Sequence, residues 1–128
     1  MTSKVIEEFA KLLVRNVRDV AIESCDRQLL PESQSPTAVR WRKEAEKTSG
    51  PGLANAMIPD CVDEAVFALL LAVDQGILRI SITGSNGQLV DLGANGDGEL
   101  GGWYMGSGGW RAQYSTQRFI DDFEDMAG

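Results

Sequence analysis

The sequence predicts an α+β fold in which N-terminal helices pack on one face of a small antiparallel sheet, a meander of about four strands, followed by a C-terminal helix. Three observations lead there. Helical periodicity runs to about residue 75, alternating segments around turn residues occupy 77–114, and a short amphipathic stretch ends the chain. The 128 residues suit a single domain over 1–128, and 43% hydrophobic with 24% charged residues is an ordinary globular composition.

From Ser3 to about Leu30, the residues Val5, Ile6, Phe9, Leu12, Leu13, Val17, Val20, Ala21 and Cys25 recur at three- and four-residue steps, which makes one apolar helix face. Glu7, Glu8, Lys11, Arg15, Arg18, Asp19 and Glu23 fall opposite. Such a helix would be about 40 Å long at 1.5 Å per residue, so it is expected to break near residues 24–26 or to project toward a partner or a second copy. Residues 31–37 read as a loop. Thr37 then caps a charged segment over 38–47 whose large apolar anchor is Trp41, and Gly50-Pro51-Gly52 stops any helix. The clearest helix covers 60–75. Asp60 is its N-cap after Pro59, Asp63 and Glu64 lie in the first turn, and Gly76 suits the left-handed C-terminal position. Ala65 to Val73 is apolar all round, so this helix is expected to be buried on most sides.

Residues 77–83 and 88–92 read as a hairpin. A three-residue Ser85-Asn86-Gly87 loop pairs Ile82 with Val90 and Ile80 with Leu92, which keeps one face apolar. A third strand is expected around Trp103, Tyr104 and Met105, and Trp110 to Tyr114 alternates like a fourth. Ser115 or Thr116 then caps a final helix with Phe119, Ile120, Phe123 and Met126 on one face.

The chain has no histidine, which excludes Ser-His-Asp triads, Cys-His pairs and His-ligated metal sites. Its two cysteines, Cys25 and Cys61, are too few for a four-thiolate zinc site and lack C-x-x-C spacing. Cys25 reads as core. Cys61 falls near a helix start, but Asp60 and Asp63 oppose a thiolate, so it reads as a small packed residue. Gly96 to Gly101 fits G-x-G-x-x-G, yet Gly102-Trp103-Tyr104 follows where a helix is required, and Asp97 and Glu99 would repel phosphate. Asp91, Gly93, Asn95 and Gly96 copy part of a calcium loop whose twelfth position carries Gly102 in place of glutamate. No cofactor and no metal is expected.

The net charge of −7 is unevenly spread: residues 1–50 carry +1 and residues 51–128 carry −8. An acidic half repels nucleic-acid phosphate and steers cationic partners inward, so no nucleic acid is expected as a ligand. The longest apolar run, Ala65 to Val73, is too short to span a membrane, and the chain reads as cytoplasmic without a membrane contact.

Ten of the fourteen glycines lie between Gly84 and Gly109, interleaved with Trp103, Tyr104 and Trp110. Flat aromatics on a glycine-rich loop, beside acidic residues, suit a contact surface. The function expected is a small acidic, non-enzymatic module that binds a basic or cationic surface of another protein, as an immunity protein, antitoxin or inhibitor does. Asp91, Asp97, Glu99, Trp103, Tyr104 and Trp110 would form that surface, with the aromatics as anchors and the acids setting on-rate. Two alternatives stand beside it. The same loop would serve a small-ligand or carbohydrate site, or a carboxylate-dependent hydrolase through Asp91, Asp97 and Glu99, and the first and central helices would build a homodimer.

Overall fold

The computed structural model describes residues 3–47, 51–119 and 121. Most of it is helical (67%), and its only sheet among those residues has two strands.

The chain begins as one continuous rod made of α1 (Lys4–Leu12), a π-helical segment (Leu13–Arg18) and α2 (Asp19–Gln28). Ser3 caps it, its Oγ accepting from the Ile6 N–H at 3.1 Å. The rod does not break at residues 24–26. It widens at 13–18, where the Asp19 N–H reaches back five residues to the Val14 carbonyl. The wider turn changes which residues face inward. Up to its first two residues Val5, Ile6, Ala10, Leu13 and Val14 are buried; from its last residue onward Arg18, Asp19 and Ile22 are, while Val17 and Val20 are 52% and 48% exposed. A uniform projection of 100° per residue therefore puts Arg18 and Asp19 on the wrong face.

Helix α3 (Pro36–Lys47) starts two residues earlier than expected. Its cap is Ser35, not Thr37: Ser35 Oγ accepts from the Ala38 N–H at 3.0 Å, and it donates to Gln28 at the end of α2. Pro36 takes the first helical position, where its missing N–H costs nothing.

Helix α4 (Pro51–Asp74) begins well before Asp60 and runs through Pro59, so Asp60 caps nothing and Asp63 lies in mid-helix. Pro59, Asp63, Val66, Leu70 and Val73 form its buried stripe, at alternating steps of four and three. The helix is not buried on most sides, since Leu69 and Leu71 are partly exposed. Proline in a helix leaves the carbonyl four residues earlier without its donor. Here that carbonyl belongs to Asn55, and Arg118 Nη2 donates to it at 2.8 Å while the same guanidinium grips Asp26 at 2.8 and 2.9 Å. Arg118→Ala is expected to cost about 1–3 kcal/mol, seen as a lower urea midpoint at constant slope. An unchanged midpoint would mean that Pro59 is tolerated without this donor.

The hairpin of β1 (Ser81–Thr83) and β2 (Leu89–Asp91) has the register read from the pattern: Ile82 faces Val90, and the Leu92 N–H donates to the Ile80 carbonyl at 2.9 Å. Gly87 takes φ +83°, which the turn requires. The expected four-stranded meander is wrong beyond this point. The chain continues as α5 (Leu92–Gly96), α6 (Leu100–Met105) and α7 (Trp110–Tyr114), so the segments read as third and fourth strands are helical. Leu100 and Tyr104, four residues apart, bury together on α4. Asp74, at the end of α4, accepts from the N–H groups of Leu100 and Gly101 at 3.0 and 2.9 Å and so caps α6 from outside. Residues 115–119 are not helical, so Ser115 and Thr116 cap no helix; Ile120, Phe123 and Met126 lie outside the described residues.

The core joins Val5, Ile6 and Val14 of the rod, Leu70 and Val73 of α4, Val90 and Leu92 of the hairpin, and Leu100 and Tyr104 of α6. The glycine- and aromatic-rich segment is thereby held against the first and fourth helices.

Candidate functional site

The polar framework beneath that segment centres on Asp63, which is 2% exposed. Its Oδ1 accepts from Arg18 Nε at 2.7 Å and from the Tyr104 hydroxyl at 2.6 Å, and its Oδ2 accepts from Arg111 Nη1 at 2.9 Å. Arg18, at 0% exposure, spends its remaining donors on Asp19 at 2.8 Å, Ser115 at 2.9 Å and the Arg118 carbonyl at 2.7 Å. Asp19 in turn accepts from the Thr116 N–H at 2.7 Å, which fixes the chain after α7. Arg111 also lies over the Phe119 ring, 4.9 Å from its centroid.

These contacts set the charge states. Burial alone would lower the Arg18 pKa, but its bonds to Asp63 and Asp19 outweigh that and hold the guanidinium above its ordinary value. Burial, reinforced by the Asp63 bond, pushes the Tyr104 phenol far above its usual range, so it remains a neutral donor. Two buried cations thus face two buried anions, and this cluster neutralises itself.

The residues expected to form a contact surface occupy different places. Tyr104 is fully buried and its hydroxyl is bound to Asp63, so it presents no surface. Asp91 caps α5, accepting from the Gly93 N–H at 2.9 Å and the Ala94 N–H at 3.3 Å. Asp97 ends α5 in the left-handed conformation (φ 51°), and it and Glu99 are exposed, with no ion-pair partner among the described residues. Trp103 and Trp110 meet with ring centroids 6.1 Å apart and planes tilted by 44°. Trp110 is largely buried, edge-on to Phe9, whereas Trp103 is half-buried.

Trp103 and Trp110 line one open cavity of about 310 Å³, together with Glu7, Tyr114 and residues 106–109. Neither Asp97 nor Glu99 lines it. A second cavity of about 280 Å³, between Trp41 of α3 and Leu53, Met57 and Ile58 of α4, is apolar apart from Glu44. Cys25 is half-buried, with its thiol pKa raised by burial and by Asp26, while Cys61 is exposed. Among the described residues no group of three or more acidic or cysteine side chains is placed to share a metal ion, and no helix is long and apolar enough to cross a membrane.

Sequence reasoning missed Asp63, Arg18 and Arg111 as the organising cluster, and Glu7 and Tyr114 as cavity walls. One signal was present: Asp63 interrupts an otherwise apolar stripe, and a charge at such a position demands partners. No protein-family model, curated protein or solved structure matches this chain.

Proposed function

We propose that the chain is a non-catalytic module that binds a basic surface on another protein, in the manner of an immunity protein, antitoxin or inhibitor subunit. The observation that carries this reading is the way its charges are sorted. After residue 50 the only cations are Arg79, Arg111 and Arg118. Arg111 is turned inward onto Asp63 and Arg118 is paired with Asp26, while Asp60, Glu64, Asp97 and Glu99 point to solvent. Arg18 and Arg111 are matched inside by Asp19 and Asp63, so the acidic excess of residues 51–128 rests on the other side chains, and it favours fast, salt-sensitive capture of a basic partner. The inner acids support binding over hydrolysis: Asp19, Asp63, Asp74 and Asp91 are all engaged in holding helices and turns.

The test is recovery of a partner from a lysate of the protein's own source at low salt, with elution by a salt step and identification by mass spectrometry. A basic protein near one-to-one stoichiometry is the expected result. Recovery of the bait alone, or of a partner that salt does not release, contradicts the reading.

A further inference from the structure

We infer that the cavity beside Trp103 is a receptor for one lysine or arginine side chain of the partner, an inference that rests on the binding reading above. Its lining carries a single charged group, the Glu7 carboxylate. Glu7 is exposed on α1 and has no ion-pair partner among the described residues. The rest of the lining is rich in aromatics, with the planes of Trp103 and Trp110 tilted by 44° and Tyr114 also lining the cavity. Ring faces carry negative potential and attract a cation within about 6 Å of the centroid; a carboxylate in the same lining adds an opposite charge and hydrogen-bond acceptors. An alkyl stem against indole with its charged head at Glu7 satisfies both parts of a lysine or arginine at once.

The volume of about 310 Å³ is at the small end for ligand pockets and accommodates one side chain rather than a large molecule. Cations nearby do not fill it. Lys11, one turn after Glu7, does not line the cavity, and Arg15 is held outside it by a bond from Nε to the Tyr114 carbonyl at 3.0 Å. The walls are held in place by their own contacts. Phe9 abuts Trp110, and Gln113 Nε2 donates to the Gly108 carbonyl at 3.1 Å, so the pocket exists before the cation arrives.

The experiment titrates the full chain with three probes at low salt: a twelve-residue peptide alternating arginine and glycine, its lysine counterpart, and tetramethylammonium chloride. Indole fluorescence and the Trp103 indole N–H signal in a two-dimensional NMR spectrum report binding. Both peptides are expected to move the Trp103 signal, and Glu7→Gln and Trp103→Phe are each expected to weaken peptide binding about three- to tenfold. Glu7 is exposed, so Glu7→Gln leaves the core intact, and its NMR spectrum verifies this. Peptide binding equally tight to wild type and both variants would overturn the pocket while leaving an acidic binding surface elsewhere in place. A Trp103 signal that no peptide moves also overturns it. Tetramethylammonium binding as tightly as the peptides would overturn a protein side chain as the occupant. Failure of the wider reading looks different: the protein recovered from lysate would be one that salt does not release.

Discussion

Replacing Asp63 with asparagine is expected to remove about 3–5 kcal/mol of stability, because it leaves two buried guanidinium groups facing a neutral amide. Arg18 keeps Asp19, but Arg111 keeps only the Met105 carbonyl at 3.0 Å and its ring contacts. The loss is large against the roughly 5–15 kcal/mol that holds a typical domain. Urea unfolding monitored by tryptophan fluorescence reads it directly, and a loss below about 1 kcal/mol would mean that the cluster is not desolvated. The same site predicts alkaline behaviour. Folding raises the Tyr104 pKa, so the stability tied to its protonated form is intact below about pH 10, the ordinary phenol value, and declines as pH rises beyond it. Tyr104→Phe is expected to flatten that decline. An unchanged alkaline profile would place the hydroxyl in contact with water.

Leu100→Ala is expected to cost about 2–5 kcal/mol, since Leu100 is fully buried in the core on α6, which packs on α4. The companion change Asp74→Ala removes the acceptor for two N–H groups at the start of α6 and is expected to cost about 0.5–2 kcal/mol. Together they separate the helical account of residues 100–105 from a strand at an exposed sheet edge. In a strand, Asp74 would have no role there and its removal would be neutral. Thermal unfolding followed by circular dichroism measures both, with the Asp74→Ala result the more diagnostic.

Much of the architecture was legible where local pattern and tertiary packing agree. The hairpin register follows from alternation and the Ser85-Asn86-Gly87 loop, and the first helix follows from its three- and four-residue steps up to Leu13. Past that residue the π turn changes the inward face, and a periodicity argument has no means of detecting an inserted residue before the structure is known. The fourth helix was legible from Cys61 onward but not before it, because Pro59 is a local stop signal whose freed Asn55 carbonyl is taken up by Arg118, 63 residues away. Around Trp103 the failure has another cause. Glycine lowers helix propensity and aromatics favour strands, yet a carboxylate 26 residues earlier supplies the missing cap. The candidate surface was legible only in its charge and in the pair Trp103 and Trp110. Tyr104 is an aromatic of the same loop that serves the core, because its hydroxyl meets Asp63, a partner 41 residues away.

The most direct test of the central claim, that outward-facing acids capture a basic partner, is the association rate of the recovered complex against ionic strength, for the wild type and for Asp97→Lys combined with Glu99→Lys. The wild-type rate is expected to fall about tenfold or more as salt rises from about 0.05 M to about 0.5 M, because the attraction acts across a screened distance. The double variant should associate more slowly at low salt and show a flatter dependence. Equal rates and equal salt slopes for the two proteins would contradict the account.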